Sequence, residues 1–459
     1  MNRFHIIGRL AVIAAGLAGA LLGLSAGAVP AAIAGSVPPG GDPHGRPGLA
    51  TSRPEPPGQN ERTPLPAAPG SGLTLSQAPA GLQAAVRRTL GVPAASTRSA
   101  AQQAELTAAD GASGDEFGFS VALSGSTAVV GAPSKNSMNG AAYVFVRSGA
   151  TWSQQAKLTI AAGGAGLGWS VALSGSTAEV GAPFQSLGRR ITGAAYVFVR
   201  SGTTWSQQAK LTAPVHSRVS DDLGWSVALS GSTAVVGDPR NNSFSGAAFV
   251  FVRSGTTWSR QAKLTAAAHG FQQFLGQSVA VSGATVVAGA PSNGTADVFV
   301  RSGTTWSRQA KLTGPVGSFG WSVALSITPA SGATAVVGSP LENSFTGAAY
   351  AFVRAGTTWS RQARLTAADG AANDEFGGSV ALSGSTAAVG AASKNANTGA
   401  AYVFARSGTT WSQRAKLTVA HGAANDGFGG SVALSGSSAI VGALGTNANT
   451  GAAYVFVKV

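Results

Sequence analysis

The chain has 459 residues, no cysteine, 64 glycines and only 10% charged residues, with 31 basic against 17 acidic side chains and a formal net charge of +14. Without cysteine, disulfide stapling and thiolate metal centres are excluded, so a large fold must be held by core area and hydrogen bonds. The basic residues are dispersed with no basic arm, which argues against a nucleic-acid partner, and the glycines lack the period of collagen.

Residues 1–34 read as a secretory signal peptide. Arg3 and Arg9 precede a long uncharged apolar run, and small residues place cleavage near 28 or 34. Retention of that run as a membrane anchor is the alternative. With cleavage, no integral membrane span is expected, and the remainder is secreted or held at the cell envelope. Residues 35–100 form a Pro/Gly-rich linker too poor in large apolar groups to recover its ordering entropy by burial. A short helix is expected within it, near 79–90.

From residue 101 onward the chain repeats. FGFSVALSG (117–125) recurs six more times as LGWSVALSG, LGQSVAVSG, FGWSVALSI and FGGSVALSG, at spacings of 44 to 57 residues. Each copy is followed by a second element such as TAVVGAP (127–133), then a third such as GAAYVFVR (140–147). A fourth, TWSQQAKLT and its variants, closes the unit. Val, Tyr, Phe and Thr dominate between Gly-rich turns and no element has helix length, so all four read as strands. In the fourth, Trp152, Gln154, Ala156 and Leu158 alternate with Ser153, Gln155, Lys157 and Thr159, a pattern with one wet side that suits a sheet margin. Four antiparallel strands taken seven times make the fold class all-β, a seven-bladed β-propeller over 101–459, with an open solenoid as the alternative.

The FG opening each unit and the GAP near its middle resemble the FG-GAP repeat of integrin α-chain propellers and of exported bacterial proteins. The resemblance covers 103–459. It implies FGxSVA innermost and WSQQAKLT outermost in each blade. FG departs to Leu-Gly at 167, 223 and 275. GAP departs to GDP at 237–239, GSP at 338–340, GAA at 390–392 and GAL at 442–444. Members of the family bind calcium through an Asp-rich loop between the first two strands. Here that turn is Ser124-Gly125-Ser126 and its copies, which have no carboxylate to offer a hard cation. No cofactor is expected, and a weak calcium site at Asp110 or Asp115 is the one exception left open.

The turns joining strands one to two and three to four are nearly constant, whereas those joining two to three and four to one vary. In a propeller both variable sets emerge on one face, the candidate ligand face. Its acidic residues are Asp110, Asp115, Glu116, Asp221, Asp222, Asp369, Asp374, Glu375 and Asp426, which read either as collectors of a cation or basic ligand or as solvated turn residues. His216, His269 and His421 share the four-to-one loops but belong to different units, too far apart around a ring for one metal. Trp169, Trp225 and Trp321 follow the FG glycine and mark the best position for an aromatic ligand contact. The six tryptophans that open fourth strands read as caps on the packing between blades, with sugar stacking as the alternative.

These features point to an exported, non-enzymatic binding or adhesion module for protein or glycan, with a monomeric body. The alternatives are a structural envelope or surface protein without a specific ligand, and a hydrolase or lyase with an unrecognised site on the propeller face; no nucleophile elbow or triad pattern supports the latter. Six complete fourth strands serve seven units. AQQAELT (101–107) is therefore expected to supply the seventh and close the ring, and deletion of 101–110 should cost far more stability than deletion of 36–73.

Overall fold

The computed structural model describes residues 100–161, 163–214, 221–266 and 272–459. Residues 1–99, where a signal peptide, a linker and a short helix near 79–90 are expected, lie outside the described residues, as do His216 and His269.

Seven four-stranded antiparallel sheets form the blades of the propeller. Blade 1 runs Ser120–Ser124, Thr127–Ala132, Ala141–Ser148 and Thr151–Leu158 from the channel outward, and the later blades repeat it. The apolar residue of each FG is buried, from Phe117 in blade 1 to Phe428 in blade 7. Each seeds one of seven clusters between neighbouring blades; Leu167, for instance, joins Val129 and Val144 of blade 1 to Val180 and Tyr196 of blade 2. The core is thus a ring of seven interfaces, and leucine fills the phenylalanine position without loss of burial.

Two hydrogen-bonded rings register the blades. At the channel, the serine of each FGxS donates to the FG glycine carbonyl of the next blade at 2.7–2.9 Å, and Ser431 closes the circle on Gly118. The approach is so close that a Cβ on the GAP glycine Gly131 would lie 2.0 Å from the Gly168 carbonyl oxygen. This contact dictates the glycine. At the periphery, Trp152, Trp205, Trp258, Trp306, Trp359 and Trp411 each donate their indole N–H to a glutamine of the preceding blade at 2.8–3.1 Å. Each indole also packs against an interblade cluster. The accepting glutamine sits at a β-bulge, where register shifts between Val144 and Phe145 in blade 1. The bulge breaks the simple alternation expected of the fourth strand and turns Gln155 from the wet side toward the next blade.

The ring closes as the strand count requires. Ala101–Leu106 pairs antiparallel with Ala452–Val457, placing Leu106 opposite Ala453, with the same bulge between Gln102 and Ala104. Gln103 occupies the bulge and accepts from Trp152. Only the interface between blades 6 and 7 lacks a tryptophan, because Ala100 takes its place, and there the bulge position carries exposed Arg414 instead of glutamine.

Candidate functional site

The variable loops do share one face. The two-to-three loop of each blade bonds the four-to-one loop that enters the next, as in Gly166 N–H to Met138 O at 2.8 Å and Glu116 N–H to Asn449 O at 2.9 Å. Variation in sequence conceals a common backbone in five of the two-to-three loops. Asn136, Asn242, Asn343, Asn395 and Asn447 each open a run of three residues at positive φ. Asparagine tolerates that left-handed conformation better than most side chains, and it is the shared letter of SKN, RNN, LEN and TN in these loops. Blades 2 and 4 depart from the pattern. Blade 2 carries a small hairpin, Ser186–Leu187 with Arg190–Ile191, and blade 4 a short turn at Pro291–Asn293.

All three exposed large apolar side chains among the described residues lie on this face. They are Leu187 in the blade 2 hairpin, Val316 in the loop entering blade 5, and Phe345 in the blade 5 two-to-three loop. The opposite face is built from the near-constant SGST and RSGTTW turns.

At the centre of the variable face the channel opens into a cavity of about 160 Å³, lined by the residue after each FG glycine and by the serine and valine that follow it. In blade order those first residues are Phe119, Trp169, Trp225, Gln277, Trp321, Gly378 and Gly430. Phe119, Trp169 and Trp225 form a continuous aromatic wall, with centroids 4.6 and 4.9 Å apart, backed by Phe184 and Leu444. The Trp169 indole N–H is buried in that wall without a hydrogen-bond partner. The structure therefore brings together the three tryptophans singled out in the sequence.

The acidic residues serve mainly as ties between loops. Lys135 is buried against Asp115 at 2.7 Å and also bonds the Asp110 carbonyl. Asp110 in turn accepts from Tyr143 at 2.7 Å and Lys157 at 2.6 Å. Against the opposing effect of burial, hydrogen bonds from Lys157 and Tyr143 and the charge of Lys135 hold Asp110 down at about 2. Blade 6 repeats the arrangement with Lys394, Asp374, Asp369, Tyr402 and Lys416. Glu116 and Glu375 accept from Ser134 and Ser393. Asp426 accepts the Ala423 N–H, while His421 stands exposed where the other two units have Asp110 and Asp369. Among the described residues no group of three or more His, Asp or Glu converges to hold a metal ion.

Asp221 and Asp222 are buried at the entry to blade 3, beside Asp238 of the departed GDP motif. Asp238 accepts from the Asp222 N–H at 3.1 Å and Asn241 at 3.0 Å, and Arg240 pairs with Asp222 at 3.1 Å. Burial pushes Asp222 up to about 6, with Arg240 opposing, and pushes Asp238 up to about 7, with the Asp221 charge adding to the effect. Between the ordinary value of 3.8 and these raised values, the native carboxyls keep protons that the unfolded chain has released. Their contribution to stability therefore falls as pH rises across that window. These two carboxyls should contribute a decline on the order of 2 kcal/mol in unfolding free energy from about pH 5 to about pH 8, and Asp238→Asn should make the overall slope shallower. An unchanged slope in the variant would contradict this assignment.

The FG-GAP repeat family matches residues 100–145, 152–198, 205–251, 258–304, 359–404 and 411–456. Each match joins an outer strand to the three inner strands of the following blade, and the first begins at the closing strand. No curated protein sequence matches the chain.

Proposed function

The chain belongs to the FG-GAP repeat family, and from that premise we propose that it is an exported, non-enzymatic binding or adhesion module that recognises a protein or a glycan through its variable-loop face. The fold is one commonly used for binding or adhesion. The carrying observation is the confinement of Leu187, Val316 and Phe345 to that face. Each apolar side chain left in water on a loop of a rigid scaffold gains free energy when a partner covers it. Arg189 and Arg190, exposed beside Leu187, add a basic rim suited to an acidic neighbour on the partner.

The test is binding of the full chain to arrayed glycans and extracellular proteins, repeated with Leu187→Ser, Val316→Ser and Phe345→Ser combined. A control carries Thr151→Lys and Thr204→Lys on the opposite face. Loss of at least about tenfold in the loop variant alone is expected, since each buried apolar anchor contributes about 1 kcal/mol or more. Binding that survives in the loop variant and disappears in the control would overturn the proposal.

A further inference from the structure

The central cavity has chemistry of its own. The residue after the FG glycine changes from blade to blade, while the Ser and Val beside it stay constant. Phe119, Trp169 and Trp225 fill one arc, and Gln277 and Trp321 follow. Gly378 and Gly430 leave the remaining arc open. Backbone geometry does not demand these two glycines. Neither has a positive φ, and an added Cβ would meet its nearest atom only at 3.4 Å and 3.2 Å, against 2.2 Å at the FG glycine Gly118. Their effect is to keep space between Trp321 and Phe119.

The polar groups in the lining narrow the occupant. Every serine hydroxyl of the ring already donates its proton to a glycine carbonyl. What remains to each is acceptor capacity, which a ligand rich in O–H donors would satisfy. Gln277 offers an amide with both donor and acceptor. No charged side chain lines the cavity, so an ionised ligand would lose its hydration without gaining a counter-charge. Aromatic faces favour a ring with an apolar face of its own. An aromatic side chain would fit those walls but would leave the serine acceptors unmet.

We infer that this funnel is a subsite for one ring of a neutral sugar, stacked by its apolar face on the aromatic arc with its hydroxyls directed to the serine ring and Gln277. The inference rests on the proposed binding role of the variable face and assigns the ligand class of its centre.

The experiment is calorimetric titration and saturation-transfer NMR on the full chain. The probes are neutral hexoses, 6-deoxyhexoses and N-acetylhexosamines, with the matching uronic acids and indole as comparisons. At least one neutral sugar should bind saturably, and uronic acids and indole should bind at least about tenfold more weakly. Gly378→Leu, which fills the open arc, should reduce sugar affinity at least about tenfold, and Gln277→Ala should weaken it with the funnel left open. Should Gly378→Leu fail to fold, Gln277→Ala decides. Absence of any neutral-sugar binding, equal or tighter binding of uronic acids or indole, or affinity unchanged by the folded variants would overturn the inference. The Thr151→Lys and Thr204→Lys control on the opposite face should leave monosaccharide binding intact. If the funnel variants change nothing while the combined Leu187, Val316 and Phe345 variant still abolishes array binding, the subsite falls and the face assignment stands.

Discussion

Removal of residues 101–107 is expected to lower the unfolding free energy by on the order of 5 kcal/mol, enough to consume much of the margin of a typical domain. The deletion strips Leu106 from the cluster between blades 7 and 1, where it packs with Phe117, Tyr143 and Val455. Losing a buried leucine alone costs about 2–5 kcal/mol. The deletion also removes the strand paired with Ala452–Val457, the Gln103 acceptor of the Trp152 indole and the Glu105 acceptor of the Tyr454 hydroxyl. An edge of blade 7 is then open to pairing with another chain. Chemical denaturation of the deleted and full chains measures the difference, and Leu106→Ala should reproduce a large part of it. Unfolding midpoints that coincide would show that the strand is not a clasp. A permutant carrying the strand after Val459, through an RSGTTW turn, should recover stability. Because that turn brings a tryptophan to the one interface lacking it, Arg414→Gln should stabilise the permutant and do little in the natural order.

Glu179→Val is expected to stabilise the protein by about 2 kcal/mol or more near neutral pH. Glu179 is fully buried in the second strand of blade 2, and neither carboxyl oxygen has a hydrogen-bond partner. It lies opposite Val197, whose cluster joins blades 2 and 3. The equivalent positions hold Val129, Val235, Val287, Val336, Ala388 and Ile440, all buried. Burial raises its carboxyl well above the usual range, so native Glu179 stays protonated while the unfolded chain ionises above its ordinary value. Stability is therefore lost as pH rises from that ordinary value toward the native one. The gain from valine should be smallest near about pH 4 and grow with pH, which unfolding curves at several pH values would show. A destabilised variant, or a gain independent of pH, would contradict this account.

The architecture was legible because seven copies of four short strands leave little choice, and the closing strand was legible by counting. The peripheral Trp–Gln ring was harder to read. Strict alternation assigns Gln155 to the solvent side, and only the bulge, set by pairing with the third strand, redirects it. Its partner lies in the next blade. The joint departure at Ala100 and Arg414 was the available sign that the two positions depend on one another. The loop acids show the same limitation. Asp110 and Asp115 look like solvated turn residues until Lys135 and Lys157, from other elements, are seen against them. Units 1 and 6 share both the acids and the SKN loop, whereas the last unit has His421 and Thr446 instead. Asp238 looked like a lapse in GAP and proves to be buried beside Asp222. The clustering of Trp169 and Trp225 with Phe119 followed from their shared place in the repeat, but the open arc at Gly378 and Gly430 required the distances around each glycine.

The central claim, that one face of this closed ring is the recognition surface, is tested most directly by hydrogen-exchange footprinting of the full chain with a binder recovered from the arrays. Protection is predicted at the loops containing Leu187, Val316 and Phe345 and at the inner-strand entries around Trp169, Trp225 and Trp321, with the turns at 124–126 and 148–151 unchanged. Protection confined to those turns and their copies would contradict it.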